Sequence, residues 1–240
     1  MSSNVSDSQP YVLTYSMSTY EAGGFNSPSS WNAGGQALHG ILHNPPNQEQ
    51  TMEKKAIIFG VTGQDGSHLA DLLLEKNYQV IGVGRRVSVD NTERLKHLKG
   101  NEKFQMVQGD ITDAYSIRGV FKSHKDVNEV YNLAAQSHVA VSFKQPALTW
   151  DITGKGCLNI LEAMRDVEVD ARFYQASSSE MFGAAYDYNK DSQFGRHKYQ
   201  NENTKFLPQS PYAIAKCAAH YMTRLFREAY GFHASAGILF

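Results

Sequence analysis

Tyr212 and Lys216 stand four residues apart in the run Tyr212-Ala-Ile-Ala-Lys216. In a helix that spacing puts both side chains on one face. An ammonium beside a phenol favours the phenolate and lowers the tyrosine pKa from about 10 towards working pH. A tyrosine so placed can take a proton from a substrate hydroxyl as hydride leaves for an acceptor. Ser210 and Pro211, just ahead, suit the N-cap and N1 positions of such a helix. Upstream, Ala176-Ser-Ser-Ser-Glu180 offers hydroxyls and one carboxylate at the end of a strand pattern. Taken alone, Tyr-x-x-x-Lys is more often an ordinary helix face; its weight here comes from what accompanies it.

The second chemical stretch is Lys55-Ala-Ile-Ile-Phe-Gly-Val-Thr-Gly-Gln-Asp-Gly66. An apolar run, Ala56 to Phe59, leads into Gly60, Val61, Thr62, Gly63, Gln64, Asp65 and Gly66. Leu69, Ala70, Leu72, Leu73 and Leu74 then read as the buried side of a helix. Strand, glycine turn and helix aim backbone N–H groups and a helix N-terminus at an anion, typically a pyrophosphate. No Lys-Ser or Lys-Thr follows the glycines, which excludes a P-loop. A dinucleotide fold places an acidic residue about 20 positions on, where it binds the ribose 2′-hydroxyl. Here that place holds Arg85 and Arg86. Guanidinium groups pair with a 2′-phosphate where a carboxylate would repel it, so NADP is favoured over NAD. Asp110 and Ile111 suit the edge and face of an adenine. The small residues of Leu133-Ala134-Ala135-Gln136-Ser137 let a dinucleotide backbone pass close.

Elements that must position these residues alternate along the chain. Strands are expected at Gln79–Val83, Phe104–Gln108, Glu129–Leu133, Arg172–Ala176 and His233–Phe240, after the first at 55–59. Helices are expected at about 92–99, 113–124, 143–166 and 211–230. Alternation of this kind implies an α/β fold, a doubly wound parallel sheet of the Rossmann type. Ligands of such sheets lie beyond the carboxyl ends of the strands, where strand order reverses. The residues singled out above all sit just after strands.

The rest of the chain sets bounds. Its 240 residues are 41% hydrophobic and 20% charged, with a net charge of −1. Nothing there suggests a nucleic acid or an anionic membrane as partner, and no apolar run approaches a membrane span. Cys157 and Cys217 lie far apart with no metal-ligand pattern, which reads as two thiols in a reducing, cytoplasmic compartment. Residues 1–52 are rich in Ser, Asn, Gly, Pro and Gln, with no Arg and no Lys before Lys54. They read as a flexible polar extension, neither a secretory signal nor a transit peptide. Residues 53–240 form the dinucleotide-binding domain with the catalytic residues.

The glycine turn, Asp110, Asn132-Leu-Ala-Ala135, the serine run and Tyr212-x-x-x-Lys216 together resemble the extended short-chain dehydrogenase/reductase superfamily. Gly60 to Ser67, Arg85-Arg86, Asn91-Thr-Glu-Arg94, Gln136-Ser-His-Val139, Ser178-Ser-Glu180 and Pro208-Gln-Ser-Pro-Tyr212 resemble the GDP-mannose 4,6-dehydratase family more closely. The resemblance covers 54–240. It implies a lyase that acts on GDP-mannose through an internal redox cycle with NADP. Tyr212 and Lys216 would manage the O4 proton, Ser178 the O4 region, and Glu180 the C5 proton and the departing water. It adds Ser88 to the cofactor set. It implies a homo-oligomer, dimer or tetramer, with Arg85-Arg86 near a subunit contact, and a substrate domain lying mostly beyond Phe240. Leu148 stands where relatives often have a cofactor-contacting Tyr, so no contact is expected from it. Segment 183–207 is longer than in many relatives and reads as a surface loop. Two other functions fit parts of the pattern: a nucleotide-sugar epimerase or reductase on the same fold, and a non-catalytic dinucleotide-binding fragment.

Overall fold

The computed structural model describes residues 53–188 and 198–240; the extension expected over 1–52 lies outside the described residues. In chain order β1 (Lys55–Phe59), α1 (Gln64–Glu75), β2 (Gln79–Gly84), β3 (Phe104–Gln108), α2 (Ala114–Ser123) and β4 (Glu129–Asn132) come first. They are followed by α3 (Val139–Lys144), α4 (Pro146–Thr149), α5 (Gly156–Val167) and β5 (Arg172–Ser178). The short strands β6 (Asp187–Tyr188) and β7 (Lys198–Tyr199), then α6 (Pro211–Tyr230) and β8 (Ala234–Leu239), complete the order. Six strands form one sheet in the order β3-β2-β1-β4-β5-β8, with every neighbouring pair parallel. The chain winds outward from β1 to β3, then returns to β4 and winds outward the other way. Strand order therefore reverses between β1 and β4, which is where such a sheet opens a crevice.

Alternation along β1 explains its unbroken apolar run. Ile57 and Phe59 face a core with Ile117 and Phe121 of α2, Ile160 and Leu161 of α5, and Ala219 and Phe226 of α6. Ala56 and Ile58 face the other way, against Ala70 and Leu73 of α1 and against Leu95 and Leu98. Each side chain of this size contributes roughly 1.5–3 kcal/mol on burial, so the strand is held from both faces.

Two expected helices differ. The stretch expected at 92–99 is a 3-10 helix, Glu93–Leu98. Asp90 accepts from both the N–H and the hydroxyl of Thr92, so the chain enters through a tight side-chain turn. The long helix expected at 143–166 is broken. Pro146 disfavours a helical residue before it, and Gln145 sits at φ −135°, ψ 62° between α3 and α4. A π-helical turn, Trp150–Lys155, then joins α4 to α5. α6 has the expected bounds: the Ser210 hydroxyl accepts from Ala213 N at 3.0 Å, Pro211 takes N1, and Gly231 ends it at φ +70°. β5 runs on to Ser178, two residues past the expected end, so Ser177 and Ser178 belong to the strand. The segment read as a loop over 183–207 carries the antiparallel pair β6–β7, and residues 189–197 lie outside the described ones. No helix among the described residues is long and apolar enough to cross a membrane.

Candidate active site

A cavity of about 640 Å³ opens over the glycine turn, with walls from the ends of β1 and β2 and the loop after β4, at the strand-order reversal. α1 starts directly after Gly63 with no side chain capping it. Its first N–H groups are therefore free to face an anion and carry the positive end of the helix dipole. Close approach requires the glycines. A Cβ on Gly60, at φ +83°, would lie 2.7 Å from Ala134 N, and one on Gly66 would lie 2.3 Å from Gly60 O. This cradle, a volume in the range of small-molecule sites, and the Arg85 side chain on the wall together fit a nicotinamide dinucleotide.

The opposite wall is tied down by side chains. Gln136 N donates to Thr153 Oγ1 at 3.1 Å, and Thr149 Oγ1 donates to Gln136 Oε1 at 3.1 Å. The end of α4 and the π-helical turn thus fix the Leu133–Ser137 loop through Gln136, a use of such turns common at functional sites. Asp110 Oδ1 accepts from Thr112 N at 2.9 Å and from its hydroxyl at 2.7 Å. Asn159 holds Ile111 by donating to its carbonyl at 2.7 Å.

The second group of residues gathers where β5 ends. Ser178 Oγ accepts from Glu180 N at 3.2 Å and lies close enough to the Tyr212 phenol to oppose the rise in its pKa. Glu180 is exposed at the rim, on a 3-10 turn, Ser179–Met181. Lys216 is 4% exposed, and its Nζ donates to Ala176 O at 2.6 Å. That carbonyl is within reach because β4 stops at Asn132, opposite Gln175, so β5 runs on without a ladder partner on that side. Gln175 Nε2 also donates to Ala176 O, at 2.9 Å, and Asn132 Nδ2 donates to Gln175 Oε1 at 2.7 Å. Asn132 Oδ1 is buried without a hydrogen-bond partner.

Burial pulls the Lys216 ammonium down to about 8, with Cys157 and the Asp65 carboxylate opposing the fall. Tyr212 departs from expectation. Burial pushes its phenol above the usual value and the Glu180 carboxylate adds to this, while the Ser178 hydrogen bond opposes it. The expected lowering by Lys216 is not found because Nζ is turned to a backbone carbonyl. It lies 5.7 Å from the centre of the tyrosine ring rather than against the hydroxyl.

Of the residues singled out from the sequence, Gly60, Thr62, Gly63, Gln64, Asp65, Gly66, Arg85, Asp110, Ile111 and Leu133 to Ser137 line the cavity. Val61 does not; it is fully buried in the core under β2. Arg86 and Ser88 are exposed and off the wall. Ser178, Glu180, Tyr212 and Lys216 are brought together one strand further along. Asp65 links the groups: it lines the cavity, and its charge reaches Lys216 and Tyr174. Sequence reasoning missed Asn91, whose Nδ2 donates to Thr62 Oγ1 at 3.4 Å, and the wall residues Thr112, Leu148 and Ile152. Leu148 and Ile152 share a four-residue apolar spacing, which alone reads as core.

Residues 57–240 match the family model described as GDP-mannose 4,6 dehydratase. The chain is 45% identical over 196 residues to a GDP-mannose 4,6-dehydratase of Vibrio cholerae, covering 79% of this chain and 50% of that one. It is 46% identical over 197 residues to GDP-mannose 4,6 dehydratase 1 of Arabidopsis thaliana, covering 78% and 51%. The chain thus spans about half the length of the curated relatives it matches. Among solved structures, a UDP-glucose 4-epimerase of Thermotoga maritima with UDP-glucose superposes with a TM-score of 0.61 at 28% identity, over 77% of this chain and 54% of that one. A dTDP-glucose 4,6-dehydratase of Streptomyces venezuelae with NAD bound gives 0.63 at 24% identity, over 77% and 54%, which speaks to the fold.

Proposed function

We propose, for a chain that belongs to the GDP-mannose 4,6-dehydratase family, that it holds NADP in the cavity over the glycine turn and takes part in converting GDP-mannose to GDP-4-keto-6-deoxymannose. The observation that carries this reading is the pairing of Ser178 with Tyr212 at the end of β5, with Glu180 beside them. A dehydrogenase or epimerase needs the hydroxyl pair but no base for C5; a dehydratase needs both. When bound, the nicotinamide supplies the hydride acceptor for C4 and the donor for C6.

The chain's own residues handle protons. Ser178 hydrogen-bonds O4 and the Tyr212 phenol. Tyr212 takes the O4 proton, with the Ser178 hydroxyl opposing the rise that burial imposes on its phenol, while Lys216 is held on the Ala176 carbonyl one helical turn away. The C4 ketone acidifies the C5 hydrogen, which Glu180, exposed at the rim, removes. Glu180 then protonates the C6 hydroxyl, which leaves as water, and the proton that Tyr212 took from O4 balances the one C5 must regain when C6 is reduced. Arg85 pairs with the 2′-phosphate, which favours NADP. The working protein is a homo-oligomer, dimer or tetramer, in a reducing cytoplasmic compartment, in keeping with two free, buried thiols.

The test is incubation of the purified chain with NADP and GDP-mannose, with products read by mass. A 4-keto product that has lost one water supports the reading. Net NADPH consumption on a keto-sugar without dehydration would overturn it in favour of a reductase.

A further inference from the structure

α6 presents three polar residues at four-residue spacing, Tyr212, Lys216 and His220, and helical geometry puts all three on one face. The proposed reaction uses the first two and leaves His220 idle. His220 Nδ1 stands 3.0 Å from Ser177 Oγ. Ser177 is 2% exposed on β5, where a parallel strand covered by helices ordinarily carries an aliphatic side chain. A buried hydroxyl with no partner costs about 1–3 kcal/mol, so the pairing with His220 is what makes a serine tolerable there. The imidazole is itself fixed: Phe206 meets it edge-on at 5.2 Å and 88°, and Tyr221 at 5.9 Å and 86°. Burial, then Arg227 and Arg224, hold its pKa below the usual value, so it is neutral at pH 7 and Nδ1 can accept from the hydroxyl.

Two hydrogen bonds therefore join the same helix face to the same strand. Lys216 grips the Ala176 carbonyl, and one turn later His220 grips the Ser177 hydroxyl. Core packing of Ala219 and Phe226 seats the helix; two directional contacts about 6 Å apart along it fix its roll more closely than one. Tyr212 lies one turn before Lys216, opposite Ser178 on the adjoining strand residue. We propose that His220, acting through Ser177, is a positioning residue that sets the roll of α6 on β5, and with it the place of the Lys216 ammonium and the Tyr212 hydroxyl. The proposal rests on the reading of Tyr212 and Lys216 as the proton-handling pair.

The test uses the full chain with lysine carrying carbon-13 at Cε. The Lys216 resonance is assigned by its loss in Lys216→Arg and followed against pH. Its midpoint is expected at about 8, because burial pulls the ammonium down. His220→Phe and the milder Ser177→Ala are expected to move it up by about one unit as the amine loosens towards water. His220→Asn, whose amide overlays Nδ1, keeps it in place. In the same proteins the rate at which GDP-mannose gives the dehydrated 4-keto product falls about 10- to 100-fold in the Phe and Ala variants, as misplacement of reacting groups does. KM stays unchanged, and the double variant falls no further than either single one. A midpoint that stays put in both Ser177→Ala and His220→Phe overturns the proposal, as does a His220→Asn chain as impaired as His220→Phe. If the wild-type chain forms no dehydrated 4-keto product while the midpoint moves as described, the dehydratase reading fails and the positioning role stands.

Discussion

The glycine turn beneath the cavity and the polar cluster behind β5 both hold charge at the mouth of one parallel sheet, by opposite means. The turn is made of backbone. Gly60 and Gly66 pack main chain on main chain, and its positive potential comes from uncapped N–H groups of α1 rather than from a titrating side chain. Behind β5 the work falls to side chains: Lys216 is buried on a carbonyl shared with Gln175, and Asn132 keeps one oxygen unpartnered. The first region leaves no room for an added atom. The second has room for atoms but depends on every partner, and it holds an ammonium against its own desolvation. Binding and catalysis should therefore fail separately when the two regions are changed.

The sharpest separation is expected from Tyr212→Phe set beside Gly66→Val. Tyr212→Phe removes the proton acceptor and leaves the cradle intact. Product formation should fall by about 10³, within the range for lost general acid–base catalysis, while dinucleotide affinity, read by fluorescence titration, stays within about twofold. Gly66→Val drives side-chain atoms into Gly60 O, where even a Cβ would lie at 2.3 Å. Dinucleotide binding should be lost, with stability lower by about 1–3 kcal/mol, the usual cost of overpacking. Equal loss of binding in the two variants would mean that the regions are not distinct.

A smaller effect separates them by stability. Lys216 has a folded pKa of about 8 against an ordinary 10.5. Between those values the unfolded chain binds more protons than the folded one, so stability rises with pH across the window. The full rise is about 3 kcal/mol; below pH 8 the buried charge is a standing penalty. Lys216→Met should therefore be more stable than wild type at pH 7, lack the rise between pH 8 and 10.5, and be inactive. Cys157 and Cys217, which burial pushes up to about 12 and about 11, pull both proteins down above pH 9. The loss of the Lys216 charge raises Cys157 further in the variant, so its slope differs from wild type in the same direction. Urea unfolding at pH 7 and pH 10 reads the difference, and parallel pH slopes in the two proteins would refute it. No comparable pH signature is expected from a change at Gly60, Gly63 or Gly66.

The same contrast decides what the sequence makes legible. A backbone site must be spelled in glycines, so 55–66 announces its strand, its turn and its helix. β1, β3, α2 and α6 fall within a residue of where periodicity places them. A side-chain site hides its partners. Tyr212, Lys216 and the serines are visible, but the Ala176 carbonyl gripped by Lys216 depends on β4 stopping at Asn132, which is a matter of register. The π-helical turn that fixes Gln136 leaves no periodic trace, and Pro146 breaks a helix whose apolar pattern continues through it. Leu148, from which no cofactor contact is expected because it stands where relatives often have a Tyr, lines the cavity with Ile152; an apolar wall and an apolar interior look alike in one dimension. Arg85 and Arg86 are indistinguishable by position along the chain; the folded chain puts Arg85 on the cavity wall and Arg86 off it.

That last distinction gives the smallest and most local expectation. A charge-assisted hydrogen bond contributes about 1.5–3 kcal/mol, so Arg85→Ala should weaken NADP binding by about 10- to 100-fold. NAD, with no 2′-phosphate, should bind wild type and variant alike. Arg86→Ala should change NADP affinity by no more than about threefold, as an exposed guanidinium off the wall contributes mainly a screened field. Isothermal titration of both dinucleotides against the three proteins reads all of this. Equal losses in the two variants would mean that the loop after β2 acts as one diffuse positive patch. A loss in Arg85→Ala shared by NADP and NAD would place the arginine on the pyrophosphate instead, making it part of the cradle that the glycines build. Only a loss confined to Arg85 and to NADP gives the backbone-built region a single side chain that chooses the cofactor.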